Sequence, residues 1–143
     1  MKKTALKNIS AVILGFSITL VLTRGTDILL ENTGIFPTVE QQQKFGFNIL
    51  WMNLVAISYR IVFTIAGGFI TVKLSASKPI RNIMILGITG TMIAIAGNLV
   101  VSQIPEMADV LPLWFSIALV IIAYPSVWIG GRLANAYSQS QKS

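Results

Sequence analysis

The chain has no cysteine and no histidine, and only 11% of its 143 residues are charged. The missing residue types exclude disulfides, thiol nucleophiles, histidine bases and the usual zinc and haem ligands. A soluble domain typically has about 25% charged residues, whereas 54% of this chain is hydrophobic. The composition therefore excludes a soluble fold and leaves few catalytic constellations.

Apolar runs separated by short polar segments occupy most of the sequence. A transmembrane helix needs about 20 predominantly apolar residues, so the chain accommodates four spans and no second domain. The predicted fold class is an all-α membrane protein, with residues 1–143 forming a single four-transmembrane-helix up-down bundle. The spans are predicted at about residues 9–30, 47–72, 80–101 and 113–134.

The first apolar run follows a basic N-terminus, as it does in a secretory signal peptide. No small-x-small cleavage site comes after it, because the next residues are Thr23, Arg24, Gly25 and Thr26. The run is therefore predicted to remain as the first helix. After it, residues 31–45 are predicted to form an extramembrane loop, since glycine, proline and three consecutive glutamines break the apolar pattern.

Charge is distributed unequally between the two sides of the predicted bundle. The side with both termini holds most of the basic residues, namely Lys2, Lys3, Lys7, Lys73, Lys78, Arg81, Arg132 and Lys142. The other side holds Arg24, Lys44 and all five acids, Asp27, Glu31, Glu40, Glu106 and Asp109. Cytoplasmic segments are enriched in lysine and arginine, so we expect a multi-pass protein of a bacterial inner membrane with both termini cytoplasmic.

The expected binding partners of the protein follow from the same distribution of charged and apolar residues. The lipid bilayer is the expected environment, and a homo-oligomer or a second membrane protein remains open. The basic residues are scattered between apolar runs rather than gathered on one face, so no nucleic-acid partner is predicted.

Arg60 is the most informative residue because it lies near the middle of the second span. An arginine at the bilayer centre costs between about 2.5 and 17 kcal/mol, so such a residue is paired, functional or both. Its helical face carries small and polar residues at spacings of three and four: Asn53, Ala56, Arg60, Thr64, Gly67 and Thr71. This stripe is predicted to face the bundle, and the opposite face, with Leu54, Ile61, Ile65 and Phe69, is predicted to face lipid.

The depth of Arg60 limits its partners. At about 1.5 Å per residue, Arg60 lies roughly 20 Å below the outer end of its span, whereas Asp27 is expected near the outer surface. A direct Arg60–Asp27 pair is therefore not expected. The candidates at the depth of Arg60 are Thr19, Thr91, Tyr124 and the carbonyl of Ile121, which Pro125 leaves without a donor. With these partners, Arg60 would be a structural clamp between the second and fourth spans.

Neutral partners would leave the charge of Arg60 uncancelled, which favours an alternative in which a small anionic solute or a lipid headgroup binds there. Pairing with an acid of the first loop or with a partner protein also remains open. The candidate binding residues are Arg60, Asn53, Tyr59, Thr64, Thr91, Tyr124 and Asp27.

Enzymatic activity has little support. Asp27, Glu31 and Glu40 could collect as acid and base or as cation ligands, but exposed carboxylates are usually solvated and no nucleophile has an evident activating base. No catalytic residue, metal or cofactor is predicted. The glycine pairs at 67–68 and 130–131 are predicted to be packing notches rather than phosphate cradles, since neither pair follows a strand.

Short motifs run through the chain: Gly25-Thr26-Asp27, Gly34-Ile35-Phe36-Pro37, Tyr59-Arg60, Gly67-Gly68-Phe69, Lys78-Pro79, Trp114, Pro125, Trp128 and Gly130-Gly131. Together they resemble a widespread family of small, uncharacterised bacterial four-helix integral membrane proteins. Family members typically have a tyrosine after the tryptophan and Pro-Trp in the first loop, whereas Phe115 and Pro37-Thr38 stand here. The resemblance implies the architecture and marks Asp27 and Arg60 as residues to test, and it implies no reaction.

The predicted function is accordingly that of a structural or accessory helical bundle. The alternative is a small-solute or anion-binding transporter or channel-like protein that uses Arg60.

Overall fold

The computed structural model describes residues 2–105 and 110–140. This part of the chain forms five α-helices and no strand: α1 (Lys2–Asn32), α2 (Val39–Phe45), α3 (Leu50–Leu74), α4 (Pro79–Ser102) and α5 (Leu113–Ser140). All except α2 are long and apolar enough to cross a membrane. The predicted all-α class with four candidate spans is confirmed. Glu106, Asp109 and Lys142, which entered the charge count, lie outside the described residues.

Two helix boundaries differ clearly from the prediction. Helix α1 begins at Lys2 rather than near residue 9, and α5 continues to Ser140 rather than ending near residue 134. Lysine, leucine and alanine are strong helix formers, so helical structure continues past the apolar runs.

Helix α2 lies in the segment predicted to be a loop. It has a capping box, in which the Gln41 backbone N–H donates to Thr38 Oγ1 (3.4 Å) and the Thr38 backbone N–H donates to Gln41 Oε1 (3.0 Å). Threonine followed three residues later by glutamine is a known helix-start signal. The sequence therefore contained a recognisable start signal for α2.

Successive long helices run in opposite directions. Contacts between α1 and α3 join Ala11 to Thr71 at one end and Asp27 to Arg60 nearer the other, so these helices are antiparallel. Helices α4 and α5 are also antiparallel, because Gly87 lies against Tyr124 and Asn98 bonds to Ser116. We call the end with Lys2, the α3–α4 turn and Ser140 the terminal end, and the end with α2 the loop end.

Helix α3 is the central helix, and glycines allow its backbone to approach both neighbours. A Cβ at Gly67 would lie 2.7 Å from the carbonyl oxygen of Gly15 on α1, and one at Gly130 of α5 would lie 1.9 Å from that of Ile65. A Cβ at Gly68 would likewise clash with the carbonyl oxygen of Val127 on α5. The glycine pairs are therefore packing notches, as predicted, and they hold α1, α3 and α5 in direct backbone contact.

The central position of α3 corrects the predicted lipid face. Leu54 is 51% exposed, as expected for a lipid-facing side chain. Ile65, however, lies on the backbone contact with Gly130, and Phe69 packs against the buried cluster formed mainly by α3, α4 and α5. Because α3 packs against helices on two sides, its apolar face is only partly free for lipid.

The interior is small and polar, while the surface is apolar. The largest fully buried side chains are Asn53, Asn82 and Thr71, and exposed large hydrophobic side chains occur along every long helix. Such a surface would aggregate in water, whereas small interfacial residues and interhelical hydrogen bonds are typical of membrane bundles. Together with the four helices long and apolar enough to cross a membrane, these features indicate a multi-pass membrane protein.

Two buried asparagines close the terminal end. Asn8 Oδ1 accepts hydrogen bonds from the backbone N–H groups of Ala76 (3.0 Å) and Ser77 (3.1 Å), and its Nδ2 donates to Ser77 Oγ. Asn82 Nδ2 donates to Ser75 Oγ (2.8 Å). The start of α1 is therefore tied to the α3–α4 turn.

Gly130→Ala tests the backbone contact between α3 and α5. The new methyl would meet the Ile65 carbonyl at 1.9 Å, so we expect destabilisation of about 1–3 kcal/mol through overpacking. Gly97→Ala is the matched control, because a Cβ there meets nothing within 4 Å, and alanine is the better helix former. Thermal unfolding of the purified variants in detergent measures both. Equal stability of the two variants would contradict the close packing.

Candidate functional site

Arg60 forms an ion pair with Asp27 between α3 and α1. Nη2 of Arg60 lies 3.0 Å from Oδ1 and 3.0 Å from Oδ2 of Asp27. The side chains are 23% and 12% exposed, respectively. Nη1 of Arg60 donates to the carbonyl of Ala56 (3.1 Å), one turn earlier on α3. The charge of Arg60 is thus neutralised inside the protein.

Tyr59 completes the cluster. Its hydroxyl donates to Asp27 Oδ1 and accepts a hydrogen bond from Arg60 Nη1 (2.9 Å). The Arg60 guanidinium also lies 5.0 Å from the Tyr59 ring centroid and 5.9 Å from that of Phe115 on α5. Both are within cation–π range. Residues from three helices therefore surround one guanidinium.

The expectation that Asp27 and Arg60 lie at different depths was wrong. Helix α3 begins at Leu50 and α1 continues to Asn32, so both residues are closer in depth than the predicted boundaries suggested. Helical side chains also tilt toward the N-terminus of their helix. Since α1 and α3 are antiparallel, Asp27 leans into the bundle while Arg60 leans toward the loop end, and their functional groups meet.

The predicted clamp between the second and fourth spans is also corrected. Ile121, whose carbonyl was the expected acceptor, is 65% exposed, and no hydrogen bond joins it to Arg60 among the described residues. Tyr124 instead packs its ring against Gly87 and stacks on Trp128. Arg60 therefore joins α3 to α1, with only an aromatic contact to α5.

A cavity of about 340 Å³ adjoins the cluster at the loop end. Its charged lining residues are Arg24, Asp27, Glu31 and Arg60, so cations and anions balance. The glutamines of α2 and the Tyr59 hydroxyl add neutral polar groups. Phe36, Phe47, Phe115, Leu111 and Leu119 form much of the apolar wall. Among the described residues, the lining is amphipathic and its formal charges sum to zero.

Helix α2 forms one wall of this cavity. Gln42 Nε2 donates to the carbonyl of Pro37 (2.7 Å) and to Glu31 Oε1 (3.3 Å), which ties α2 to the end of α1. On the other side, the rings of Phe36 and Phe47 pack edge to face at 5.2 Å. These contacts place α2 over the end of the bundle.

Of the seven predicted binding residues, the structure brings Asp27, Tyr59 and Arg60 together at the cavity. The hydroxyls of Thr64 and Thr91 bond to the carbonyls of Arg60 and Gly87 in their own helices, as helical threonines often do.

Asn53, another predicted residue, is fully buried beside the cavity rather than in its lining. Its Nδ2 donates to the Phe47 carbonyl (3.0 Å), which holds the chain at the start of α3. Its Oδ1 has no hydrogen-bond partner within residues 2–105 and 110–140.

Several lining residues were not among the predicted site residues. Arg24 was counted only in the charge distribution, Glu31 was expected to be solvated, and Phe115 was noted only as a departure from the family pattern. The helical spacing of Arg24, Asp27 and Glu31, at intervals of three and four, was the available signal. It placed the three residues on one face of α1, but it could not show that this face borders a cavity.

Comparison of the chain with protein-family models, with curated proteins and with solved structures finds no match. The fold and the site indicate the class of protein: four helices long and apolar enough to cross a membrane, with an amphipathic cavity beside a buried ion pair. Across the described residues, no group of histidine, cysteine or acidic side chains could hold a metal ion.

Breaking the Arg60–Asp27 pair should destabilise the protein. We expect Arg60→Met or Asp27→Leu to cost about 3 kcal/mol, at the lower end of the range for buried pairs because both groups keep some exposure. The double variant Asp27→Leu/Arg60→Met should recover most of this loss, since apolar pairs often replace buried ion pairs without cost. Denaturant unfolding in detergent gives the coupling energy through a double-mutant cycle.

Arg24→Met is the control, because Arg24 is 72% exposed and lies 3.9 Å from Asp27. It should change stability by less than about 1 kcal/mol. Additive losses in the double variant would show that the pair does not hold α1 to α3.

Proposed function

We propose that this chain is an accessory protein of a bacterial inner membrane, with both termini in the cytoplasm, that holds a small ligand in the loop-end cavity. The observation that carries the proposal is the cavity of about 340 Å³ bordered by the Arg60–Asp27 pair. Small-molecule sites usually measure about 300–1,000 Å³ and combine apolar walls with a few placed polar groups. This cavity has both properties.

The orientation is supported by the distribution of charge. The described basic residues at the terminal end include Lys2, Lys7, Lys73, Arg81 and Arg132, whereas Asp27, Glu31 and Glu40 lie toward the loop end. Lysine and arginine favour the cytoplasmic side. The cavity would then face the periplasmic side of the membrane.

An accessory role fits the packing better than transport. At the terminal end, backbone contacts at Gly15, Gly67, Gly68 and Gly130 leave no room even for a methyl group. A pathway through the bundle would have to separate these helices. This close packing of α3 against α1 and α5 supports a protein that holds a ligand without passing it on.

The alternative is a transporter or channel-like protein that binds an anion at Arg60. Its support is that Arg60 lines the cavity and remains partly exposed. The charge balance argues against it, because Asp27 takes up the guanidinium charge and offers its own negative charge to any approaching anion. Anion binding would first have to displace Asp27.

Single cysteines test the proposed orientation without background, because the native chain has none. Ala76→Cys in the α3–α4 turn and Gln43→Cys in α2 are both exposed. In intact spheroplasts, a membrane-impermeant maleimide should label Gln43→Cys and spare Ala76→Cys until the membrane is permeabilised. Labelling of Ala76→Cys from outside would reverse the orientation.

Ligand retention tests the cavity. Native mass spectrometry of the full chain, extracted gently from its membrane, should show a bound small molecule or lipid. Val39→Trp, a half-exposed lining residue, should lose it because indole fills the mouth of the cavity. Val62→Trp is the matched control on the exposed surface of α3, outside the lining, and it should retain the ligand.

Absence of any adduct from the wild type, or equal retention in Val39→Trp, would contradict ligand binding. Proteoliposome assays separate the alternative. We expect chloride and phosphate fluxes equal to those of protein-free vesicles, and a flux that disappears in Arg60→Met would establish transport instead.

A further inference from the structure

Two charged residues of the cavity lining, Arg24 and Glu31, lie on α1 outside the Arg60–Asp27 pair. Asp27 and Arg60 pair with each other and with Tyr59. Among the described residues, Arg24 makes one long ion-pair contact, of 3.9 Å to Asp27, and Glu31 accepts one long hydrogen bond, from Gln42 (3.3 Å). Arg24 can therefore donate hydrogen bonds to an anionic group of a ligand, and Glu31 can accept hydrogen bonds from a cationic group.

Their order along α1 gives the ligand a direction. Seven residues separate Arg24 from Glu31, which places them on the same helical face and roughly 10 Å apart along the axis. Glu31 is nearer the end of α1 at the loop end, so it lies closer to the membrane surface than Arg24 does. The cation is therefore the deeper group, and the carboxylate is the shallower one.

This order complements a zwitterionic phospholipid headgroup, in which the phosphate lies deeper in the membrane than the ammonium group. Arginine binds phosphate through two parallel N–H donors, and a carboxylate accepts hydrogen bonds from an ammonium group. The match does not depend on which leaflet faces the loop end, because every phospholipid has its headgroup outermost.

The apolar wall favours a lipid over a soluble zwitterion. Phe36, Phe47, Phe115 and Leu119 line the cavity together with the charged groups, and a hydrophilic phosphoamine would leave these surfaces uncovered. The volume of about 340 Å³ is small for a whole phospholipid, so only the headgroup and the first part of the acyl chains would lie in the cavity, with the chains against these apolar side chains. The rest of each chain would extend along the exposed apolar surfaces of the helices.

Resting on the proposed ligand-binding function, we infer that the cavity binds the headgroup of a zwitterionic, amine-bearing phospholipid, with its phosphate at Arg24 and its ammonium group at Glu31. The Arg60–Asp27 pair lies between these two residues along the bundle axis, beside the headgroup, and holds α1 against α3.

Native mass spectrometry with added lipids tests this inference on the full chain. Phosphatidylethanolamine should bind at least about fivefold more tightly than phosphatidylglycerol, which has the phosphate but no amine. Glu31→Gln should remove this preference, and Arg24→Gln should weaken binding of both lipids. Glu40→Gln and Lys44→Gln, which make the same charge changes on α2 outside the cavity lining, should keep the wild-type preference.

Other outcomes would overturn the inference. Equal binding of the two lipids by the wild type would remove the role of Glu31. Displacement of phosphatidylethanolamine by an equal concentration of soluble glycerophosphoethanolamine would indicate a soluble ligand. If the wild type retains an adduct that Val39→Trp loses, but shows no preference for the amine lipid, the proposed function stands and only the lipid assignment fails. If no adduct is retained, both fail.

Discussion

A guanidinium within an apolar helix needs a counter-charge or a full set of hydrogen-bond acceptors, and this requirement organises the loop end of the bundle. Asp27 supplies the charge, and Tyr59 and the Ala56 carbonyl supply further acceptors. Because Asp27 lies on α1 and Arg60 on α3, satisfying the guanidinium also fixes how these helices are aligned. The ring of Phe115 extends the arrangement to α5. A single costly side chain thus connects three helices.

The bundle is stabilised differently at its two ends. Toward the terminal end, glycines bring backbones together, and Thr19 and Thr71 add hydrogen bonds between α1 and α3. Dispersion and short-range polar contacts act there because lipid provides no hydrophobic drive between helices. At the loop end the side chains are larger and charged, and they pack less closely. The cavity lies at this end because aromatic rings and ion pairs do not fill space as glycine contacts do.

Neutralisation of the Arg60 charge by Asp27 changes what the cavity can bind. An unpaired arginine would attract anions, but the Arg60–Asp27 pair presents a dipole with little net charge. In the proposed site, discrimination between ligands would depend on Arg24 and Glu31, which are more exposed and not paired with each other. A membrane protein can in this way use one ion pair for stability and a neighbouring pair of charges for recognition, without leaving an uncompensated charge in the hydrocarbon region.

Sequence alone was sufficient for the all-α class, for four helices long and apolar enough to cross a membrane and for the packing role of the glycine pairs, because these depend on composition and helical periodicity. It was not sufficient for the partner of Arg60. Rise per residue gives the depth of a Cα atom, but the pairing depends on where two long helices end and on the opposite tilt of side chains on antiparallel helices. Tyr124 and Thr91 were plausible partners of Arg60 at the same depth. In the structure Tyr124 packs against Gly87 and Trp128, and Thr91 bonds to a carbonyl of its own helix. The sequence could not show that Arg24 and Glu31 border a cavity. The cavity exists because α2 packs over the end of α1, and its walls come from several elements together.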